Sequence, residues 1–256
     1  SQITVMFVGG PNSRKDFHIE EGGEFFLQLR GAMELPTVQQ GKLKRVRISE
    51  GHLFVLPRRI PHSPQRPEAG SLGLVIERCR EDGELDCLRW YTDFDVCEEV
   101  LYERYFRCED LGRDLVPVVK QFLASPENET GKPTATSIEP NPPFEQDRST
   151  LVPDPINLFQ WIDANTQRLA QGEVIDLLKE LEHPDKEFTV HVVGGVSEQS
   201  GCRQCETFLY QLRGKSLLTE GGAEKALEED ACYVVPAGRE YTIRREKDSV
   251  GLVVAQ

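Results

Sequence analysis

His18-Ile19-Glu20-Glu21-Gly22-Gly23-Glu24, followed by Gly31 and then by Gly51, Pro57 and Ile60-Pro61-His62, is the part of the chain that decides the fold. Two histidines and one carboxylate on strands joined by tight turns can hold a divalent metal on one face and leave the other face open. Each residue alone has an ordinary reading. A single His in a β-protein is a surface or hydrogen-bonded residue, and a single Glu is solvated. Together, in this order and at this spacing, they read as one metal site; with Glu20 turned to solvent or into the turn, His18, Glu24 and His62 remain as the candidate ligands, the set that the motif resemblance below implies. His52, His183 and His191 fit no ligand position and read as structural.

Short apolar runs surround these residues, including Ile3–Val8, Glu24–Leu29, Leu53–Leu56 and Leu72–Ile76. They are rich in Val, Leu, Ile and Phe and are punctuated by Gly and Pro, which suits an antiparallel sandwich or barrel. The pattern returns near the C-terminal end. Phe188–Gly195 echoes Ile3–Gly10, Thr207–Gly214 echoes Glu24–Gly31, Ala231–Pro236 echoes His52–Pro57, and Ser249–Val254 echoes Ser71–Ile76. The pairs keep their order and their spacing drifts slowly, so the chain carries two copies of one β-unit. The second copy has lost the ligands: Glu24 maps to Thr207, His18 to Gly201 and His62 to Tyr241. It reads as scaffold, and any metal chemistry belongs to the first copy.

Between the copies, apolar residues from Val96 through Tyr105 and from Leu115 to Phe122 recur at helical spacing. Seven prolines between Pro126 and Pro155 mark an extended spacer. Asn157 reads as the N-cap of a helix running to about Ala170 and ended by Gly172. The expected domains are 1–131 (metal-bearing, with a helical extension), 132–148 (linker) and 149–256 (the copy without ligands).

The bulk composition narrows the partners. Of 256 residues, 38% are apolar, enough for a real core, and the net charge is -13. That balance argues against nucleic acid, which needs concentrated Lys and Arg. No apolar run has the length of a membrane span, and no secretory signal is visible near Ser1, where an upstream segment is expected to be missing. Seven scattered cysteines read as reduced thiols of a cytoplasmic protein, and Cys202 with Cys205 forms a lone CxxC of chance spacing.

Three charged residues gain meaning from the ligands. Arg14 stands four before His18, and Arg66 stands four after His62 and so faces the same side of a regular strand. Glu77 ends the strand Leu72–Ile76, and its counterpart in the second copy is Ala255. A surface charge is the ordinary alternative for each.

The ligand pattern resembles the two motifs of the cupin superfamily. His18, Glu20, Glu24 and Gly31 fill the first, and Gly51, Pro57 and His62 fill the second. Glu20 stands where a second His is usual, and Arg59 where the second Gly is usual. The fold class expected is therefore an all-β-dominated bicupin: two antiparallel β-barrel or jelly-roll domains, a few helices and a Pro-rich linker. Through Gly9–Gly22 and Leu56–Arg66 the chain is similar to the 3-hydroxyanthranilate 3,4-dioxygenase family, in its single-chain, two-cupin, monomeric form. The rubredoxin-like second iron site of the bacterial form, built from two CxxC pairs, has no counterpart here.

The resemblance implies Fe(II) on His18, Glu24 and His62, and ring opening of a small aromatic amino-carboxylate by both atoms of O₂. It implies substrate contacts from Glu24, Arg66 and Glu77, a dioxygen-side role for Arg14, and catalytic roles for Arg14 and Glu77. The alternatives are a cupin isomerase or another dioxygenase using Mn, Zn or Ni, and a non-catalytic pirin-like bicupin. Convergence of Arg14, Arg66 and Glu77 on the metal ligands would favour the enzyme.

Overall fold

Strand follows strand through both halves of the chain, and the computed structural model describes residues 2–201 and 204–256. Two compact units form. One is Val5–Ile156, and the other is Asn157–Gln256 with the N-terminal residues through Thr4.

The first unit contains β1 (Ile3–Gly9, its first two residues grouped with the other unit), β2 (Phe17–Ile19), β3 (Glu24–Arg30), β4 (Met33–Gln39), β5 (Lys42–Ile48), β6 (His52–Leu56), β7 (Leu72–Arg78), β8 (Asp86–Tyr91) and β9 (Val100–Phe106). Helices α1 (Leu111–Leu123) and α2 (Pro126–Thr130) follow. One sheet takes β1, β7, β3, β6 and the two-residue β10 (Ile156–Asn157) in that order. A second face is assembled from β2-β8-β9 and β4-β5. The segment around His62 stitches these together, bridging His18 on one side and Thr37 on the other.

Side chains alternate along each strand. On β3, Phe26 turns inward with Glu24, and it joins Met33, Leu35, Phe54 and Val75 in a fully buried core. Each such side chain contributes about 1.5–3 kcal/mol on leaving water. Gly31 and Gly51 take positive φ, 68° and 75°, at the turns bounding β3 and β6. Arg59, in the slot where the motif has Gly, also holds positive φ at 62°. Its side chain is anchored by Glu21 at 2.6 Å and lies over the Phe144 ring, so the turn survives without glycine.

The second unit continues with α3 (Leu158–Ala164), α4 (Thr166–Ala170), β11 (Val174–Asp176), α5 (Leu177–Glu180), β12 (Thr189–Gly194), β13 (Ser197–Gly201), β14 (Thr207–Arg213), β15 (Ser216–Glu220), β16 (Ala223–Leu227), β17 (Cys232–Val235), β18 (Tyr241–Arg245) and β19 (Val250–Ala255). Its sheets run β11-β12-β19-β14-β17 and β13-β18-β15-β16. The repeat is thus visible in topology: β12, β19, β14 and β17 take the places of β1, β7, β3 and β6. Register confirms it residue by residue. Glu24 faces Glu77, and Thr207 faces Ala255. Both strands carry an irregularity at the same place, Gln28/Arg30 and Gln211/Arg213.

Three expectations change. The helical spacing from Val96 to Tyr105 does not make a helix. Val100–Phe106 is a strand paired with β8, because its branched and aromatic side chains pack between β8 and α1. The Pro-rich stretch expected as a spacer packs within the first unit: Ser137 and Phe144 are buried, and the Glu103 amide donates to the Ser137 carbonyl at 2.9 Å. The compact units divide after Ile156 instead. Asn157 caps its helix by accepting from the Gln160 amide, but the helix breaks at Asn165 and resumes at Thr166. The described cysteines are free thiols, and Cys202 of the CxxC lies outside the described residues.

Candidate metal centre

The two faces of the first unit each supply part of one buried cluster. His18 comes from β2 and His62 from the strand segment beside it, where the two residues exchange backbone hydrogen bonds of 2.8 and 3.0 Å. Glu24 opens β3 on the facing sheet. The His62 Nε2 lies 2.9 Å from Glu24 Oε1, the His18 Nδ1 lies 3.9 Å from the same oxygen, and the two rings are 5.3 Å apart between centroids. All three side chains are buried. His18, Glu20, Glu24 and His62 offer ligand atoms within 4.8 Å of one another.

Each imidazole is held by its other nitrogen. His62 Nδ1 donates to the Ile60 carbonyl at 3.0 Å, which leaves Nε2 facing Glu24. His18 Nε2 lies 2.7 Å from Asp86 Oδ2, which leaves Nδ1 facing the cluster. Such outer partners orient a metal-binding ring and raise its basicity. The donor set is two imidazole nitrogens and carboxylate oxygen, suited to a borderline divalent transition ion once His62 gives up its proton, and it fits a metal.

Burial pushes the His18 imidazole down, partly offset by Asp86. Burial also opposes a charged His62, but Glu24 outweighs it and holds this imidazole above the ordinary value. Burial alone would raise Glu24; His62, a hydrogen bond from Glu20, and His18 outweigh it and keep the carboxylate well below the usual range. Glu20 goes the other way, driven up by burial and by the charge of Glu77.

Glu20 is a correction. Expected in solvent or in the turn, it is 2% exposed, and its carboxyl lies 2.5 Å from Arg80 Nη2. Arg80 is the reason. Its guanidinium also meets Glu77 at 2.7 Å and Asp86 at 2.7 Å, so one cation gathers three acidic groups behind the ligands. Burial works against that charge, yet Glu20, Asp86 and Glu77 hold Arg80 protonated.

Arg14, Arg66 and Glu77 share the cavity of the three ligands. It measures about 130 Å³ and is walled by Met6, Val8, Phe26, Val75, Leu111 and Leu115. Arg66 is 2% exposed and follows His62 and Pro64 at strand alternation, all three lining the space. Burial pushes its guanidinium down to about 10. No carboxylate pairs with it among the described residues. Glu77 is pushed up to about 7 by burial and by Glu24, against the pull of Arg80. Arg14 is bonded to Asp16 at the rim.

Residues 1–123 match the family model described as 3-hydroxyanthranilic acid dioxygenase. The 3-hydroxyanthranilate 3,4-dioxygenases of Rattus norvegicus and Homo sapiens are each 41% identical over 256 residues, covering 100% of this chain and 86% of theirs. That of Danio rerio is 42% identical over 257 residues, with the same coverage.

The chain belongs to the 3-hydroxyanthranilic acid dioxygenase family.

Solved structures place this member of the family among cupin-like folds. Oxalate decarboxylase from Bacillus subtilis superposes with a TM-score of 0.54 at 15% identity, covering 99% of this chain and 68% of that one. A point mutant of salicylate 1,2-dioxygenase from Pseudoaminobacter salicylatoxidans gives 0.54 at 12% identity, with 99% and 69% covered. At that identity the likeness is one of fold.

Sequence reasoning missed Arg80, Asp86, Gln28 and the burial of Glu20. Arg80 sits in a run of charges, Glu77 to Asp82, which reads as a solvated turn. Asp86 opens a strand with no motif around it. Gln28 carried a signal, because it lies in the Gln-Leu-Arg-Gly echoed by the second unit. The remaining histidines stay apart from the cluster: His52 faces the Glu50 carbonyl, His183 accepts from the Asp185 amide, and His191 lies near Asp176.

Proposed function

We propose that this chain is a non-haem Fe(II) dioxygenase that opens the ring of 3-hydroxyanthranilate with both atoms of O₂, giving 2-amino-3-carboxymuconate semialdehyde. We further propose that it works as a cytoplasmic monomer, through its first unit alone. No helix among the described residues is long and apolar enough to cross a membrane. The observation that carries the reading is the cavity itself. A two-His, one-Glu cluster opens into an apolar-walled space that also holds a buried arginine with which no carboxylate among the described residues pairs.

His18, Glu24 and His62 would hold the ion, which when bound supplies Lewis acidity and the electron path between an aromatic chelator and O₂. The chain's own residues do the rest. Arg66 receives the ring carboxylate through its fork of N–H donors, in a place where the missing counter-charge makes a ligand carboxylate welcome. Glu77, poised near neutrality, accepts a hydrogen bond from the ring amine or assists its proton transfer. Glu24 abuts the substrate from the metal side. Arg14 places positive charge on the oxygen side of the cavity, where negative charge develops. Met6, Val8, Leu111 and Leu115 exclude water around the ring.

The test is direct. Protein loaded anaerobically with Fe(II) and mixed with 3-hydroxyanthranilate in air should consume one O₂ per substrate and yield quinolinate by spontaneous closure of the product. Substrate unchanged, with one ferrous ion bound per chain, would overturn the reading.

A further inference from the structure

The strand pair that presents Glu24 and Glu77 also sets Gln28 opposite Gly73. Gln28 is 1% exposed. Its Nε2 donates to the Arg30 carbonyl at 2.9 Å, and its Oε1 accepts from Arg66 Nη1 at 2.8 Å. A side-chain amide has one donor end and one acceptor end, so the bond to Arg30 dictates which end Arg66 meets. The irregularity between Gln28 and Arg30 in β3 brings that carbonyl within reach of the amide.

Gly73 provides the room. A Cβ there would stand 2.7 Å from Arg66 Nη2, 2.8 Å from Nη1 and 2.8 Å from Gln28 Oε1. Gly73 lies inside β7 without positive φ, so no turn demands glycine at this position. Its smallness serves the guanidinium lying against it.

The second unit keeps two parts of this arrangement and detaches the third. Gly251 faces Gln211, and a Cβ on it would stand 3.3 Å from Arg245 Nε and Nη2. There, however, Arg245 donates to Gln199, while the Gln211 amide is taken up by Arg213, Ser249 and Ser216. Among the described residues, the glutamine aims the arginine in the first unit and not in the second, and Arg66, unlike Arg245, lines a cavity shared with the metal ligands.

We propose that Gln28 and Gly73 are positioning residues for Arg66, and that through it they set a preference for aromatic chelators bearing a carboxylate. The proposal rests on the dioxygenase reading above and deepens it. Neither residue lines the cavity, so both act through the arginine.

The experiment is anaerobic equilibrium binding to the Fe(II)-loaded protein of two ligands, 3-hydroxyanthranilate and 2-aminophenol, which lacks the carboxylate. Wild type should prefer the carboxylated ring. Gly73→Ala should push the guanidinium aside and weaken 3-hydroxyanthranilate by roughly 10- to 100-fold, the worth of a charge-assisted contact, while leaving 2-aminophenol unchanged. Gln28→Glu should shift selectivity the same way, because an internal carboxylate would then occupy Arg66. One iron per chain in each variant reports an intact fold. If wild type prefers the carboxylated ligand and either folded variant keeps that preference, the positioning role is overturned. Parallel loss of both ligands overturns it too. If wild type itself has no preference, the carboxylate role of Arg66 fails first, and this proposal falls with it.

Discussion

The two units share a fold and differ in what fills one spot between their sheets. In the first, His18 and His62 face each other across a backbone bridge, and both rings turn a nitrogen toward Glu24. In the second, Gly201 and Tyr241 hold the same register. A Cβ on Gly201 would stand 2.8 Å from the Tyr241 ring and its hydroxyl oxygen, so the phenol lies across the position of the first imidazole. Thr207 replaces Glu24, and Ala255 replaces Glu77. The lesson is that the scaffold does not make the site. The same sheets, turns and buried arginine persist where the ligands are gone, and Leu209, Leu218 and Val253 repeat the core places of Phe26, Leu35 and Val75.

This contrast can be broken most severely at the ligands. His62→Ala or Glu24→Ala should remove bound metal and lower turnover by roughly a thousandfold or more, since a metal centre supplies several kcal/mol of transition-state stabilisation. Tyr241→Ala should leave metal content and turnover intact. Metal analysis beside steady-state rates checks both.

The arginines give the next largest difference. Arg66→Ala should raise KM by roughly 10- to 100-fold through loss of the carboxylate contact. Arg245→Ala, at the matching position, should leave KM unmoved in any variant that folds. An unchanged KM for Arg66→Ala would contradict the carboxylate role.

Acid should separate the units more gently. His62 binds its proton more tightly than an ordinary imidazole, because Glu24 lies beside it and outweighs burial. A metal must displace that proton, so affinity is full well above the ordinary histidine value of 6.5 and is lost as pH falls through and below the raised one. Titration of the apo-protein with Co(II) should show affinity dropping by up to about tenfold per pH unit below that range. A flat profile would argue against His62 as a ligand.

The smallest effect belongs to the second unit. Gly201→Ala should cost about 1–3 kcal/mol by overpacking against the Tyr241 ring, with kcat and KM unchanged. Tyr241→Ala should relieve part of that cost, a coupling that a double-mutant cycle in urea unfolding would measure.

Much of this was legible beforehand. The motif spacing brought His18, Glu24 and His62 together, and the echoed stretches located the repeat and, through their separate offsets, the partners Gly201, Thr207, Tyr241 and Ala255. Strand alternation aimed Arg66 correctly, because His62, Pro64 and Arg66 keep their period. What stayed hidden depended on distant partners. Glu20 looked exposed because acidic turn residues usually are; it is buried by Arg80, which is far from it along the chain and carries no motif. The strand at Val100–Phe106 mimicked a helix in spacing and was decided by its pairing with β8. The prolines looked like a spacer because their composition cannot report that Ser137 and Phe144 dock into the first unit.

Anaerobic titration of metal-free protein with Fe(II) tests the central claim most directly, comparing wild type with Glu24→Ala. One tight equivalent per chain, abolished in the variant, is the predicted result. Two equivalents, or one that survives loss of Glu24, would contradict a single centre in the first unit.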